Sequence, residues 1–408
     1  MHNDLADKIE VKYGLPREVV YCKKCVISNQ RPSSTVEFKN KPADSKKTIA
    51  FGDDGVCDAC KYAEYKSTKI DWGKREEELK ELCDRYRRKD GRWDCLVPAS
   101  GGKDSAFTAH VLKYKYGMHP LTVTWAPHEY TEIGWRNLQG MIYSGLDNIL
   151  VTPNGKIHKY LTKLAFLNLC HPFQPFIIGQ RFIGPKTAVE KDIPLIFYGE
   201  NQAEYGNAIA ENENPTMDEA FFSSEKKDYE KIFLGGISAA ELMKSHGLSK
   251  NDLEMYMPPL RKDIEAKEIK VYYLGHYIKW DPQEMFYYAS QNTGFQTNPQ
   301  RTEGSYSKYS SIDDKIDILH YYTTLIKFGI GRATYDAAQE IRNGKIIREE
   351  GVVLVRKYDT EFPEKYFQDC LRYMDVSEGQ FWETIEKFRS PHLWKREKDQ
   401  WVLRHPVT

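Results

Sequence analysis

The chain has 408 residues, of which 40% are hydrophobic, so it is long enough for two or three domains with a sizeable core. Lysine plus arginine and aspartate plus glutamate number 59 each, and this balance argues against a nucleic-acid partner. No apolar run of roughly 18 residues or more is present, and the first residues lack a signal-peptide pattern, so we expect a soluble cytoplasmic protein with no membrane partner.

Cysteine spacing is the first informative pattern along the chain. Cys22 and Cys25 form one C-x-x-C pair, and Cys57 and Cys60 form a second. Two such pairs can hold one Zn²⁺ in a tetrahedron, and four cysteine ligands leave no open coordination position. We therefore predict a structural zinc in an N-terminal module of residues 1–70. A disulfide pair, which a reducing cytoplasm disfavours, and an iron–sulfur cluster are the alternatives.

A glycine-rich turn follows a predicted amphipathic helix at 71–88. The apolar run 96–99 leads into S-G-G-K-D-S at 100–105, and a helical pattern follows at 106–116. In this order of strand, turn and helix, backbone N–H groups and the helix N-terminus suit a phosphate, and Lys103 adds a positive charge. The pattern is neither Walker A nor G-x-G-x-x-G.

Three further strands, separated by helical segments, are predicted at 121–125, 148–152 and 193–198. The alternation predicts an α/β fold with a doubly wound parallel sheet, which we assign to an ATP-binding domain at 71–210. Ligands in such sheets bind at the carboxyl ends of strands, where Ser100, Trp125 and the segment 199–201 are expected to lie.

Several polar residues outside the glycine turn are candidates for the same site. Glu200 and Asn201 follow the fourth strand, where a carboxylate can accept a proton from an incoming amine or orient the acceptor. Lys327 and Arg332 flank a glycine turn after a helical stripe, where they would reach pyrophosphate or a substrate carboxylate. Asp313-Asp314 can hold Mg²⁺ or start a helix, and we favour the second.

The remaining chain, 211–408, is predicted to be a mostly helical region that completes the site. Its first part, to about residue 250, is acidic and then mixed, which is typical of an insertion or a mobile loop. A lid and a surface decoration are both compatible with that composition.

The chain resembles two nested groups of proteins. The turn at 100–105 resembles the SGGxDS loop of the PP-loop superfamily, whose members cleave ATP between the α- and β-phosphates. Over the full length the chain resembles the N-acetyl sugar amidotransferases of bacterial surface-polysaccharide and flagellin-sugar pathways. That likeness is carried by these segments: 21–25, Arg31-Pro32, 55–60, 100–105, 199–201, 310–315 and 327–332.

The amidotransferase resemblance implies conversion of an acetamido group of a sugar into an acetamidino group through an adenylylated amide. It implies ATP, Mg²⁺ and structural Zn²⁺ as cofactors. Within the loop it assigns the backbone of Ser100, Gly101 and Gly102 and the hydroxyl of Ser105 to pyrophosphate, Lys103 to phosphate charge and Asp104 to Mg²⁺. Trp125 or its neighbours are expected to border the adenine.

The source of ammonia is a separate question. No cysteine follows Met1 or stands in a Gly-flanked elbow, as glutaminase nucleophiles do. Cys170 is followed by His171, but we expect it to be a core cysteine. We expect free ammonia or a separate glutaminase subunit that resembles the glutaminase and cyclase of histidine biosynthesis.

Two other functions remain open from the sequence. One is a tRNA thiolation enzyme, which would need sulfur-handling cysteines near the loop and a basic surface. The other is a zinc-containing interaction module with a regulatory nucleotide site.

Overall fold

The computed structural model describes residues 9–33, 41–206 and 214–408. The predicted domain boundary between 210 and 211 lies outside the described residues. Among the helices in these three ranges, none combines the length and apolarity that crossing a bilayer requires.

Nine strands are described. In chain order they are β1 Cys95–Pro98, β2 Pro120–Trp125, β3 Asp147–Val151, β4 Leu195–Tyr198, β5 Phe233–Leu234, β6 Ile237–Ser238, β7 Lys270–Tyr273, β8 Trp394–Glu397 and β9 Gln400–Leu403. Five of them form one parallel sheet in the order β3-β2-β1-β4-β7, while β5-β6 and β8-β9 are antiparallel pairs.

The helices of the first part of the described chain alternate with the strands of the sheet. They are α1 Asp58–Thr68, α2 Trp72–Tyr86, α3 Lys103–Tyr114, α4 Glu132–Tyr143, α5 Gly155–Leu169 and α6 Gln174–Lys191. The later helices are α7 Ala239–Ser245, α8 Lys250–Leu253, α9 Arg261–Ala266, α10 Pro282–Asn292, α11 Asp317–Phe328, α12 Arg332–Arg342, α13 Arg348–Tyr358, α14 Phe367–Met374 and α15 Glu378–Phe388.

The sheet is covered on both faces, which confirms the doubly wound prediction. Side chains alternate along a strand, and Leu96 of β1 joins the core cluster that contains Phe182 of α6. Its neighbour Val97 joins a second cluster that contains Phe107 of α3. Helices therefore pack on opposite faces, and the strands read as continuous apolar runs because both faces are buried.

The strand order reverses beside β1, and this reversal positions the site. The chain leaves β1 towards β2 on one side, whereas β4 pairs with β1 on the other. The turns after β1 and β4 therefore open into one crevice at the carboxyl edge of the sheet.

The fifth strand, β7, is an element that the sequence prediction missed. It pairs with β4 from Leu195↔Lys270 to Tyr198↔Tyr273, although more than seventy residues separate the two strands in sequence. The composition of the run Val271-Tyr272-Tyr273 indicates only an aromatic core cluster. The sheet thus continues into the region assigned to the C-terminal part of the chain.

The expected mobile loop near 211–250 is packed where the structure describes it. Phe222, Leu234 and Leu242 are buried in the same core cluster as the sheet residues. A few well-spaced apolar residues thus anchor the described part of this segment to the core.

The N-terminal segment is docked onto the C-terminal helices. Its four cysteines share a core cluster with Ala337 and Ala338 of α12 and Val355 of α13. It is also tied to the sheet, because Lys66 of α1 is buried and its Nζ lies 2.7 Å from Glu204 Oε1 in the turn after β4. The predicted four-cysteine module and mostly helical C-terminal region are thus both present, in contact with each other.

Candidate active site

The glycine turn after β1 is shaped by its packing. Gly101 has φ of +86°, and a Cβ there would lie 2.5 Å from the backbone nitrogen of Leu138 on α4. Gly102, by contrast, has φ of −64° and caps α3. The Ser105 hydroxyl donates to the carbonyl of Gly102 at 3.1 Å and closes the turn. The first glycine is therefore required by conformation and close approach, and the second by neither.

Lys103 and Asp104 begin α3 and form an ion pair, with Nζ 2.5 Å from Oδ2. The other carboxylate oxygen, Asp104 Oδ1, is buried and has no hydrogen-bond partner among the described residues. An oxygen in that state suits a hard cation, so the residue fits the Mg²⁺ role given to it.

Two cavities meet at this turn. The smaller, about 160 Å³, is lined by Gly101, Gly102, Ser310, Asp313 and others, and the larger has a volume of about 400 Å³. Lys103, Asp104 and Arg332 line both. A group bound at these three side chains therefore faces both spaces.

The larger cavity is lined by residues from widely separated parts of the chain. Its charged lining residues are Arg31, Lys46, Lys103, Asp104, Arg332, Asp336 and Arg342. Its aromatic and histidine lining residues are His171, Tyr205, Trp280, His320, Tyr321, Phe328 and Tyr335. Cations outnumber carboxylates, and flat rings with polar edges surround them, which suits an anionic ligand with a sugar ring.

Arg332 is a cation in the lining of both cavities. It begins α12, its Nη2 lies 3.1 Å from Asp336 Oδ1, and its guanidinium lies 4.5 Å from the centre of the Tyr321 ring. Burial works against its charge, but Asp336, Tyr321 and Asp317 outweigh that effect and raise the pKa of Arg332. The side chain is thus a fixed, permanently charged wall shared by both cavities.

Glu200 is half-buried and is not among the residues that line the two cavities, but it interacts with the loop. Burial, and next the charge of Asp104, raise the pKa of its carboxyl, while a hydrogen bond from the Tyr205 hydroxyl and the charge of Lys103 act in the opposite direction. Tyr205 itself lines the larger cavity. The carboxylate therefore acts on the site through Tyr205 and the Lys103-Asp104 pair.

Asn201 and Lys327 are not placed in either cavity lining. Asn201 is buried, and its Oδ1 accepts from the backbone N–H of Ala203 at 2.9 Å, which closes its own turn. Lys327 is 2% exposed, and its Nζ donates to the carbonyl of Leu169 at 3.2 Å. The structure therefore brings Arg332 to the loop but points Lys327, five residues earlier, at α5.

Trp125 is a core residue. Its indole packs against His158 and Tyr256, and a Cβ on Gly179 of α6 would lie 2.2 Å from the ring. The residue stands at the carboxyl end of β2 as expected, but its side chain points under α6 and does not line the two cavities. The sequence pattern predicts that Trp125 lies at the end of a strand, but it does not predict the direction in which the side chain points.

The adjacent Asp313 and Asp314 have different surroundings. Asp314 accepts from the backbone N–H of His128 and from its Nδ1, both at 2.7 Å, and from the N–H of Ile316 at 2.9 Å. Asp313 instead lines the smaller cavity opposite the glycine turn. Burial, and then the charges of Asp317 and Asp314, raise the pKa of Asp313 to about 7. The helix begins at Asp317, and its N-cap Ile316 has no side-chain capping bond, so neither aspartate caps it and the helix-start interpretation is wrong.

Other cavity residues were also missed from the sequence. Tyr205, Tyr321, Tyr335 and Arg342 carry no motif of their own, and only their convergence in three dimensions identifies them. Arg31 is an exception, because it belongs to the Arg31-Pro32 pair that carries part of the resemblance, although the resemblance gives it no role.

The four cysteines of the N-terminal segment form a compact thiolate cluster. The Sγ atoms of Cys22 and Cys60 are 3.9 Å apart, those of Cys25 and Cys57 are 3.7 Å apart, and all four lie within 4.8 Å of one another. Four sulfurs at about 2.3 Å from one ion would be separated by about 3.8 Å in a tetrahedron. Backbone N–H groups of Lys24 and Cys57 also point at Cys22 Sγ, as they do towards metal-bound thiolates. The set fits a single metal ion.

Comparison with known proteins gives a partial assignment. Residues 303–406 match a family model described as the C-terminal domain of WbpG-like LPS biosynthesis proteins. This segment includes Asp313, Arg332 and Arg342, and so forms part of the walls of both cavities.

Among solved structures, the chain is similar to the U34-tRNA thiolase NcsA from Methanococcus maripaludis with its 4Fe-4S cluster. The identity is 13%, the TM-score is 0.28, and the likeness covers 76% of this chain and 88% of that one. At this level the likeness carries no further argument. A search of curated proteins found no match. The C-terminal segment of the chain is thus similar to a domain of LPS biosynthesis proteins.

Proposed function

We propose that the protein is an ATP-dependent sugar amidotransferase, which converts the N-acetyl group of a sugar into an acetamidino group in the synthesis of bacterial surface polysaccharide or flagellin sugars. One observation carries the proposal: Lys103, Asp104 and Arg332 are shared by a small pocket at a phosphate-binding turn and by a larger cationic, aromatic cavity. ATP phosphates in the first would present the α-phosphate to an acceptor in the second. The similarity of residues 303–406 to a domain of LPS biosynthesis proteins supports a sugar as that acceptor.

Residues around the turn supply charge stabilisation. The free N–H groups at the start of α3, with the Ser105 hydroxyl, would bind pyrophosphate oxygens, and Lys103 and Arg332 would neutralise charge on the transferring phosphate. Asp104 would hold Mg²⁺, which would supply further neutralisation of phosphate charge. The amide oxygen attacks the α-phosphate, the bond to pyrophosphate breaks, and ammonia later displaces AMP from the carbon.

The cysteines support an external source of ammonia. All eight are among the described residues, and all are buried. Four belong to the metal cluster, and burial raises the pKa of Cys83 to about 12 and that of Cys95 and Cys370 as well. Cys170 ends α5 in a left-handed conformation inside the core. None offers the reactive thiolate of a glutaminase, so we assign ammonia to solution or to a separate glutaminase subunit.

We assign zinc to the four-cysteine cluster, in a structural role. The sulfur separations suit one tetrahedral ion, and four thiolates leave no position for a substrate. Elemental analysis of purified protein decides between zinc and iron.

A tRNA thiolation enzyme is the main rival. Such an enzyme would place cysteines near the adenylylated base, whereas the residues that line the two cavities include no cysteine in the described part of the chain. We therefore favour the sugar reaction.

The test is an incubation with ATP, Mg²⁺, ammonium and N-acetylated sugars, with detection of AMP and pyrophosphate. The proposal expects AMP formation that depends on the sugar, and a product in which NH replaces O. Release of ADP, or AMP formation that depends on tRNA and a sulfur donor, would contradict it.

A further inference from the structure

Arg31 stands out among the cations of the larger cavity. The side chain is 5% exposed and lines the cavity, yet its Nη1 is buried and has no hydrogen-bond partner among the described residues. Other cations there have polar partners: Lys103 pairs with Asp104, Arg332 pairs with Asp336, and Arg342 donates to the carbonyl of Glu204 at 3.2 Å.

The position of Arg31 is fixed by the fold of the metal-binding segment, which is the part of the N-terminal segment that carries the four cysteines (described residues 22–33 and 41–60). Its N–H donates to the carbonyl of Ser28 at 3.2 Å, and its carbonyl accepts from Ile49 at 2.9 Å. These contacts lie between the two cysteine pairs in sequence, so a metal ion held by the four cysteines would close the loop that carries the arginine. On the far side, the guanidinium lies 5.4 Å from the centre of the Tyr335 ring of α12. The side chain is therefore held in place from both ends.

A buried guanidinium without an anionic partner is costly. Burial lowers the pKa of Arg31, and the nearby charge of Arg342 acts in the same direction, while Tyr335 offsets part of the effect. A ring face compensates a desolvated cation by only about 2 kcal/mol, less than a hydrogen-bonded anion would. An anion that entered the cavity would meet Arg31 and Arg342 together, and Lys46 lines the same space.

We propose that Arg31 is the receptor for an anionic group, a carboxylate or a phosphate, on the acceptor sugar, so that the metal-binding segment selects acidic substrates. The inference rests on the proposed function, because it takes the larger cavity as the acceptor site. Planar guanidinium groups bind both anions in the same two-point geometry, and the shared chemistry is what the site recognises.

The test is calorimetric binding to the full-length, metal-loaded protein, which needs no turnover. The probes are N-acetylneuraminate, which carries a carboxylate, UDP-N-acetylglucosamine, which carries phosphates, and neutral N-acetylglucosamine. We expect wild-type protein to bind at least one charged probe more tightly than the neutral one. Arg31→Met should weaken that binding by about ten- to a hundredfold and leave ATP affinity and metal content unchanged.

The control variants separate charge from folding. Arg31→Lys keeps the charge and should recover part of the affinity, which also serves if the methionine variant does not fold. Arg136→Met removes an exposed arginine on α4 and should bind like wild type.

Either of two results would overturn the inference: equal binding of charged and neutral sugars by wild type, or equal loss of all probes in Arg31→Met. Calorimetry measures binding without turnover. A protein that binds the charged probes through Arg31 but forms no AMP would therefore contradict the proposed function and still support this inference.

Discussion

The two walls of the site differ in how they are built. The glycine-loop wall comes from one run of residues, 100–105, between a buried strand and a helix. The facing wall is assembled from Arg31 of the metal-binding segment, Tyr205 after β4, and Tyr321 and Arg342 of the C-terminal helices. The first can be read from a motif, whereas the second exists only once distant elements pack. In the proposed reaction, the loop wall would determine which bond of ATP breaks, and the assembled wall would select the acceptor.

The largest effect should come from the loop wall. Lys103→Ala is expected to lower AMP formation by about a thousandfold, because a cation that stabilises transferring charge is lost. The fold should persist, since the lysine lines both cavities and its side chain contacts Asp104 and Tyr309, which also line a cavity. Lys80→Ala on α2, an exposed lysine paired with Glu77, is the control. AMP formation near the wild-type rate in Lys103→Ala would remove the loop from the mechanism.

The next largest effect concerns the joint within the assembled wall, between the N-terminal segment and the turn after β4. Lys66→Met leaves the buried Glu204 carboxylate without its partner and should lower the free energy of unfolding by about 3–5 kcal/mol. The double variant Lys66→Met/Glu204→Gln removes both charges and should recover much of that loss. Chemical denaturation measures both. If the single and double variants are equally unstable, the pair is not the element that joins the N-terminal segment to the sheet.

A smaller effect separates the two glycines of the loop wall. Gly101→Ala should cost about 2 kcal/mol or more, because the residue has a left-handed φ and its Cβ would collide with the α4 backbone. Gly102→Ala has an ordinary φ and no atom within 3.4 Å of the added carbon, so it should be close to wild type in thermal unfolding. The reverse order would mean that the turn has another conformation.

The smallest effect is a pH dependence at the smaller cavity. The pKa of Asp313 is raised to about 7 by burial, so the unfolded chain ionises first as pH rises. Below the unfolded pKa of about 4, ionisation of Asp313 therefore has no effect on the free energy of unfolding. From about pH 4 to 7 it lowers that free energy progressively, and above pH 7 the loss is constant. Asp313→Asn should become more stable than wild type by about 1–2 kcal/mol across this window, because solvent that reaches the half-buried carboxyl screens part of the effect.

The control for that titration is Asp375→Asn. Lys163 lowers the pKa of the Asp375 carboxyl, so its contribution has the opposite sign and is lost as pH falls. A difference between Asp313→Asn and wild type that does not vary with pH would show that the carboxyl of Asp313 is not buried as described.

Much of the fold could be predicted because its signals are local. Apolar runs ended by glycine or polar turns indicate β1 to β4, and the two cysteine pairs indicate the metal cluster. β7 was missed because its partner β4 is distant in sequence, and no local pattern distinguishes an edge strand from an aromatic core run.

Residues of the candidate site could be predicted to lie together where chemistry and spacing coincide on one segment. Lys103, Asp104 and Arg332 meet at the cavities. Trp125 and Lys327 illustrate the limit, because position at an element's end does not say which way a side chain points. The sequence shows an arginine at position 31, but it does not show that this side chain is buried against Tyr335. That contact depends on the docking of α12 onto the metal-binding segment.

The most direct test of the proposed adenylylation mechanism follows one oxygen atom. An acceptor sugar carrying oxygen-18 in its acetamido carbonyl is incubated with the protein, ATP, Mg²⁺ and ammonium, and the products are analysed by mass spectrometry. If the amide oxygen attacks the α-phosphate, the label appears in AMP and leaves the sugar as NH takes its place. Label retained in the sugar, or found in pyrophosphate or inorganic phosphate, would contradict the adenylylation mechanism.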